Sequence, residues 1–544
     1  MNPEDIVRCE IHPTIGIARL GNSPEGFFIV PEAPGIPPRP DGGFKDAAGR
    51  IKRQAARFRL YAYDQAGAVL GELTSAEAQI TWTTELANAK GEWFNFAGRF
   101  HESTADSNRR NQHINPADPS ARARLAVRPG RRSVTGPSQD GTDARFDTGT
   151  FLGIRVPLGE LRTDEAGRLL VLGGFGKSDS VKPANPVRHY ANNDFWFDDI
   201  ADGPVSATVG IGPQGRQIPV TPAWCVAGPP DFAPDTPSLI TLYDVALEVA
   251  RTSGRLPTPP EVSFTRDIYP LLARPVGFAW VNEIARRRHG DPRRNFLAPD
   301  RFARLSSNAT ANARLRQAVF NRLRTPGLTD DTSQANDGFM PILAGDDGDR
   351  QQNQPRTWLT VLPGQYERMR RWAAGDFQDD WSGVPAPVPF EAFAPADQPH
   401  ALVRAALETG SGGGFFPGIE MTYIADDPAT WAAPFRLRED LAAGDVTKYM
   451  ALPWQADFYA CKTHWWPAAR PDEVLPEPEH DALIEAAAGA FQEWDRGVGD
   501  GANPGTGMNE MVMKWSTLGF IVARPGPDGG EILVETERTD PESL

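Results

Sequence analysis

The chain has 544 residues, a net charge of −15, 52 glycines and 51 prolines. Its length passes the roughly 250–300 residues at which one core stops growing, and its loop-forming content stays short of low complexity. The acidic balance, with no long Lys/Arg block, excludes a phosphate-neutralising stripe. The sequence lacks the run of about 18 apolar residues that a membrane span needs.

Glu4 and Asp5 stand where a secretion signal would carry its basic and apolar regions, so a soluble, cytoplasmic protein is expected. Cys9, Cys225 and Cys461 are an odd set with no C-x-x-C pair, which fits a reducing compartment. From Ile11 to about Trp82, short β-branched and aromatic segments such as Arg57-Phe-Arg-Leu-Tyr-Ala-Tyr alternate with Gly/Pro/Asp turns and predict strands. Residues 101–145 lack apolar period and predict a long excursion. A second strand-rich stretch follows over 151–248. Apolar spacing then turns helical, as in Ala313-Arg-Leu-Arg-Gln-Ala-Val-Phe and in Leu362-Pro-Gly-Gln-Tyr-Glu-Arg-Met, where Pro363 suits a first turn. A last helix is expected from about Leu483 to Trp494. The class is α+β, in three units: a β-rich 1–262, a helical and loop region 263–400, and 401–544.

Familiar cofactor motifs fail on inspection. Gly173-Gly-Phe-Gly-Lys-Ser has Val171 where a phosphate loop needs its first glycine, and reads as a glycine-rich turn. Gly410-Ser-Gly-Gly-Gly-Phe ends in Phe415, not the glycine or alanine of a dinucleotide fingerprint, so neither NAD nor flavin is expected. His101-Glu102 is followed by Ala105 where a zinc helix needs histidine, and no metal site is expected.

The richest segment runs from Trp454-Gln-Ala-Asp-Phe-Tyr-Ala-Cys461 to Lys-Thr-His-Trp-Trp-Pro. A lone cysteine here follows an acid by four residues amid three tryptophans. It resembles the signature of the LodA/GoxA-like quinoproteins, the lysine epsilon-oxidase and glycine oxidase family. The resemblance continues in order through Ile11-His-Pro-Thr-Ile-Gly-Ile-Ala-Arg-Leu-Gly-Asn, Phe44-Lys-Asp, Asn192-Asn-Asp-Phe-Trp-Phe-Asp-Asp-Ile-Ala-Asp-Gly-Pro-Val, Gly414-Phe-Phe-Pro-Gly-Ile-Glu and Met511-Val-Met-Lys-Trp-Ser-Thr-Leu-Gly-Phe-Ile. It implies that Cys461 and Trp515 join as cysteine tryptophylquinone, that Asp457 serves cofactor formation, and that a separate flavoprotein carries out maturation. Gly410 stands where the lysine-oxidising members have a cysteine.

Oxidising a primary amine needs a two-electron sink that no ordinary side chain provides, and an ortho-quinone is one. Asp457, desolvated among Trp454, Phe458 and Tyr459, is the candidate base for proton removal. His464, Trp454, Tyr459, Trp465, Trp466 and Phe416 are candidate pocket residues. Taken singly, Cys461 reads as a buried structural thiol, Trp515 as core, and Asp457 as a backbone acceptor. The leading expectation is oxidative deamination of an amine or amino acid with dioxygen, giving aldehyde or oxo acid, ammonia and hydrogen peroxide. A quinone-dependent enzyme tailoring a peptide or natural product, and a cofactor-free scaffold, remain alternatives, as does a homo-oligomer.

Overall fold

The structure is a computed structural model that describes residues 1–93, 110–114, 117–328, 330–345, 348–414, 419–486, 489–499, 504–527 and 529–540. His101, Glu102 and Phe416 therefore lie outside the described residues. The α+β expectation is met by a large mixed sheet in the N-terminal half and helices with short ribbons after it.

The spine of the sheet runs in the order Gly159–Thr163, Leu169–Gly173, Arg53–Tyr63, Ile15–Arg19, Ala223–Gly228, Ala201–Ile211, Ala78–Glu85, Arg131–Thr135. Ile15–Arg19 and Ala223–Gly228 pair in parallel, with Ile15 opposite Trp224 and Arg19 opposite Gly228. Both strands are buried along their whole length, as a strand covered on two faces must be. Side chains alternate between those faces. Ile15, Ile17, Trp224 and Val226 join one apolar cluster, while Ala18, Cys225 and Ala227 join another with Phe58 and Trp82. The first cluster also takes in Trp454, Phe458 and Trp515, so this face of the sheet is the floor of the C-terminal region.

Three acids on the edge of Ala201–Ile211 fasten that region down. Asp198 accepts from Lys90 Nζ at 2.5 Å, Asn88 Nδ2 at 2.8 Å and the Trp454 N–H at 3.1 Å. Asp199 accepts from the Lys177 N–H at 3.1 Å. Asp202 accepts four bonds, from the N–H groups of Val446 and Thr447, the Thr447 hydroxyl and the Trp224 indole. The N-terminal Phe44-Lys45 pair grips the other end: Phe44 stacks on Phe520 at 4.4 Å, and Lys45 Nζ donates to the Thr517 carbonyl at 3.2 Å.

Helices fall where the apolar period asked for them at Ala313–Phe320 and Pro363–Ala374, the latter closed by Gly375 at φ 85°. Around them Phe264, Met369, Trp372 and Phe377 form a separate apolar cluster. The helix expected over 483–494 instead spans Glu477–Ala486. The chain then turns back on it, with the Ala490 N–H on Glu479 Oε2 at 3.0 Å, and Gln492–Glu493 pairs with Glu473–Val474 as a ribbon. A later helix, Pro504–Lys514, escaped the sequence reading because Gly505 and Gly507 interrupt its apolar spacing.

Lys90 and Asp198 are both fully buried, and removing one member of such a pair strands the other's charge. Lys90→Met is expected to cost about 3–5 kcal/mol, read as a lowered urea midpoint. Adding Asp198→Asn should return part of the loss.

Candidate active site

The helix Trp454–Ala460 has no side-chain cap of its own, and Asp198 supplies one by accepting the Trp454 N–H. Cys461 closes the helix, donating its N–H to the Asp457 carbonyl at 3.0 Å. The second element is Pro504–Lys514, which runs into a single turn at Trp515–Thr517. The two helices pack antiparallel. Gly507, near the start of one, lies against the Tyr459 ring near the end of the other, where a Cβ would come within 1.9 Å of Tyr459 Cζ. Trp515 meets Trp454 edge to face, with centroids 5.3 Å apart. Trp454 and Phe458, one turn apart on the helix, join the apolar cluster of Trp515, while Cys461, at the end of the same helix, joins a separate cluster with Trp465 and Trp466.

The other side of the Trp515 ring is closed by the glycine-rich turn. A Cβ on Gly176 (φ 73°) would fall 2.2 Å from Trp515 Cζ2. Gly176 is fixed by Gln455, whose Nε2 donates to the Gly176 carbonyl at 3.0 Å and whose Oε1 accepts from the Ser178 hydroxyl at 2.6 Å. This segment, which the sequence shows as a glycine-rich turn without a ligand role, is one wall of the site.

Around Cys461 the environment is polar but enclosed. The thiol is 3% exposed and Asp457 4%. Asp457 Oδ2 lies 2.9 Å from Arg470 Nη1, and Arg470 also donates to the Asp457 carbonyl. Asp457 Oδ1 has no hydrogen-bond partner among the described residues. Burial pushes the Asp457 carboxyl above the usual aspartate range, and the Arg470 charge restrains that rise. Burial, reinforced by the Asp457 charge, raises the Cys461 thiol well above its ordinary value. Tyr190 stands close enough to feel both groups and is itself held neutral, chiefly by burial. Arg470 and Tyr190 were missed from sequence: one is nine residues beyond Cys461, the other lies in a different half of the chain, and neither spacing signals contact.

The remaining candidates divide. Trp454 touches Trp515, and Tyr459 serves the helix contact with Gly507. Trp465 and Trp466 join the Cys461 cluster, and with His464 they line a narrow gap of about 20 Å³. Trp466 takes a left-handed backbone (φ 46°), its indole N–H donates to the Gly413 carbonyl at 3.0 Å, and its ring lies 4.9 Å beneath the Arg470 guanidinium. His464 is drawn outward by Asp349 at 2.6 Å. Glu420 pairs with Arg19 at 2.6 Å, tying the Gly414–Glu420 block to the opening motif. Gly410 is packed against Ile17 and Leu242, so this position is spent on core packing.

Fold and site together define an α+β protein with a carboxylate-backed buried thiol at the end of a helix against which a caged indole packs. The chain belongs to the L-lysine epsilon-oxidase family. Models of that family's N-terminal region and C-terminal domain match residues 12–227 and 342–480. L-lysine 6-oxidase of Marinomonas mediterranea is 25% identical over 97% of this chain and 89% of its own length. The structure titled as the Schiff base intermediate of L-Lys epsilon-oxidase from that organism with L-Lys has a TM-score of 0.76, with 24% identity over 97% of this chain and 95% of that one. A second structure of the same organism's epsilon-lysine oxidase has a TM-score of 0.75, with 23% identity over 98% and 95% of the two chains.

Gly176 and Gly212 share a left-handed backbone (φ 73° and 71°), but a Cβ at Gly212 meets nothing within 4 Å. Gly212→Ala should cost only the roughly 1–2 kcal/mol of that conformation. Gly176→Ala should cost about 1–3 kcal/mol more, from overpacking against the Trp515 ring. Comparing the two denaturation midpoints isolates the contact.

Proposed function

We propose that this protein is an amino-acid or primary-amine oxidase whose redox group is built from Cys461 and Trp515. The reaction converts the amine carbon to an aldehyde or oxo acid, with water consumed, ammonia released and dioxygen reduced to hydrogen peroxide. The observation that supports this reading is the helix Trp454–Ala460, which packs Trp454 on Trp515 and delivers Cys461 at its end, with Asp457 one turn before the thiol. A tryptophyl ortho-quinone supplies a two-electron sink for an amine.

The residues present suit that group. Forming a thioether requires the Cys461 thiol to lose its proton, which its raised pKa opposes. The unpaired Oδ1 of Asp457 is an acceptor for that proton, and the Arg470 charge beside Oδ2 favours the ionised carboxylate against the burial that raises its pKa. In turnover the same oxygen can take the substrate's α proton, while Trp465 and Trp466 pack beside the thiol and the glycine-rich turn against the indole, both excluding water. Linkage across the 54-residue interval from Cys461 to Trp515 would also remove about 4 kcal/mol of denatured-state entropy in the chain-entropy model. Maturation by a separate flavoprotein is part of the same proposal. The relatives named above are lysine oxidases, and an amino acid is accordingly the first substrate class to test.

Intact mass tests the cofactor directly: mature protein should gain two oxygens and lose four hydrogens against the encoded chain, and a mass equal to the encoded chain after maturation refutes the linkage. Cys461→Ala should lose quinone absorbance and peroxide formation while staying folded, at a cost of about 1–2 kcal/mol.

Because a base must be ionised, turnover of mature enzyme should fall as pH drops through the Asp457 pKa, and that limb should sit above the ordinary aspartate range. A flat profile over that range would remove Asp457 from proton abstraction and leave it the maturation role. Asp457→Ala that still matured fully would remove that role as well.

A further inference from the structure

The helical region holds a cavity of about 430 Å³ that neither Cys461 nor Trp515 lines. Its volume falls in the range of small-molecule sites, about 300–1,000 Å³. Leu272, Phe278, Phe296, Val319, Met340 and Met369 form an apolar interior. Leu239, Phe278 and Leu343 separate it from the gap beside Trp465 and Trp466.

Its polar groups are of one kind. Arg288, Arg294, Arg301 and Arg322 reach the wall, and Asp337 is the one acid among the described lining residues. In a chain whose net charge is −15, that local excess runs against the whole. No described carboxylate pairs with Arg288 or Arg294. Arg301 donates to the Arg293 carbonyl and leaves Nε without a partner, and Arg322 donates to the Gly338 carbonyl. His289 Nδ1 is buried with no partner, and burial holds this imidazole neutral, with its pKa pushed down to about 4. Guanidinium groups free of an ion-paired carboxylate around an apolar chamber, Arg288 half-buried and Arg294 exposed at the rim within the field of Asp291, are complementary to a carboxylate carrying an apolar tail.

We propose that this cavity is a second ligand site, separate from the Cys461–Trp515 site, that binds an organic monocarboxylate with a medium-length apolar body. The tail fills the space between Phe278, Phe296 and Met369, and the carboxylate meets Arg288 and Arg294. The assignment is independent of the quinone and holds for the unprocessed chain.

Calorimetric titration of the full-length protein with octanoate tests it, with octan-1-ol and octylamine as the matched neutral and cationic probes. Octanoate should bind saturably at one site per chain, at least tenfold tighter than either. Arg288→Gln combined with Arg294→Gln should weaken octanoate tenfold or more while leaving octan-1-ol unchanged, and Ala318→Trp on the rim should weaken both. Unchanged circular dichroism and melting would establish that these variants fold, and Arg322→Gln serves as a replacement if the double variant does not. Absence of saturable octanoate binding, equal binding of octan-1-ol, or octanoate affinity indifferent to the arginine changes would each overturn the proposal.

Discussion

The candidate site depends on one buried charge interaction, the contact of Asp198 with Lys90. An aspartate fully removed from water is tolerable only when a counter-charge and donors surround it, and Lys90 and Asn88 supply them from the strand-rich half. The Asp198 oxygen that faces Lys90 also accepts the Trp454 N–H, and thereby sets where the helix carrying Asp457 and Cys461 begins. Burial lowers the Lys90 pKa to about 8, so the charge that neutralises Asp198 is present at neutral pH. The adjacent Asp199 and Asp202 extend the principle: one orders the turn that cages Trp515, the other the loop that precedes the helix. Three acids within five residues thus convert the rigidity of the sheet into the geometry of a site built from distant parts of the chain.

This explains which parts of the site were legible in the sequence. The blocks around Ile11, Phe44, Asn192, Gly414, Trp454 and Trp515 look unrelated as text, yet each makes a contact that only its own residue types can make. Phe44 and Lys45 hold the strand after Trp515. Arg19 pairs with Glu420, and the Asn192 block caps the helix of Cys461. Strands and helices with a clean apolar period were readable because their pattern matches burial on one face, as at Pro363–Ala374.

What was not legible followed from close packing, which leaves no periodic trace. Gly507 spoils the pattern of the Trp515 helix because the Tyr459 ring occupies the place of its side chain, and the same residue that hides the helix from sequence lets it dock. Gly176 looked like punctuation after a strand, and its meaning appears only against Trp515. Arg470 sits in a loop whose spacing from Asp457 has no helical or strand logic.

The three cysteines supply the sharpest contrast. All are buried, and burial pushes every thiol up, that of Cys9 to about 12. Burial therefore does not distinguish a reactive cysteine from an inert one here. Cys225 also feels a carboxylate, Asp202, but four hydrogen bonds already occupy that group's oxygens, and a lone pair so engaged is a poor proton acceptor. Cys461 faces Asp457, which keeps Oδ1 unpartnered while Arg470 holds Oδ2. Among the described residues, it is the one buried thiol with a carboxylate oxygen free to take its proton. An uncompensated oxygen in the interior costs stability, and its retention one turn from Cys461 is what chemistry at that thiol requires.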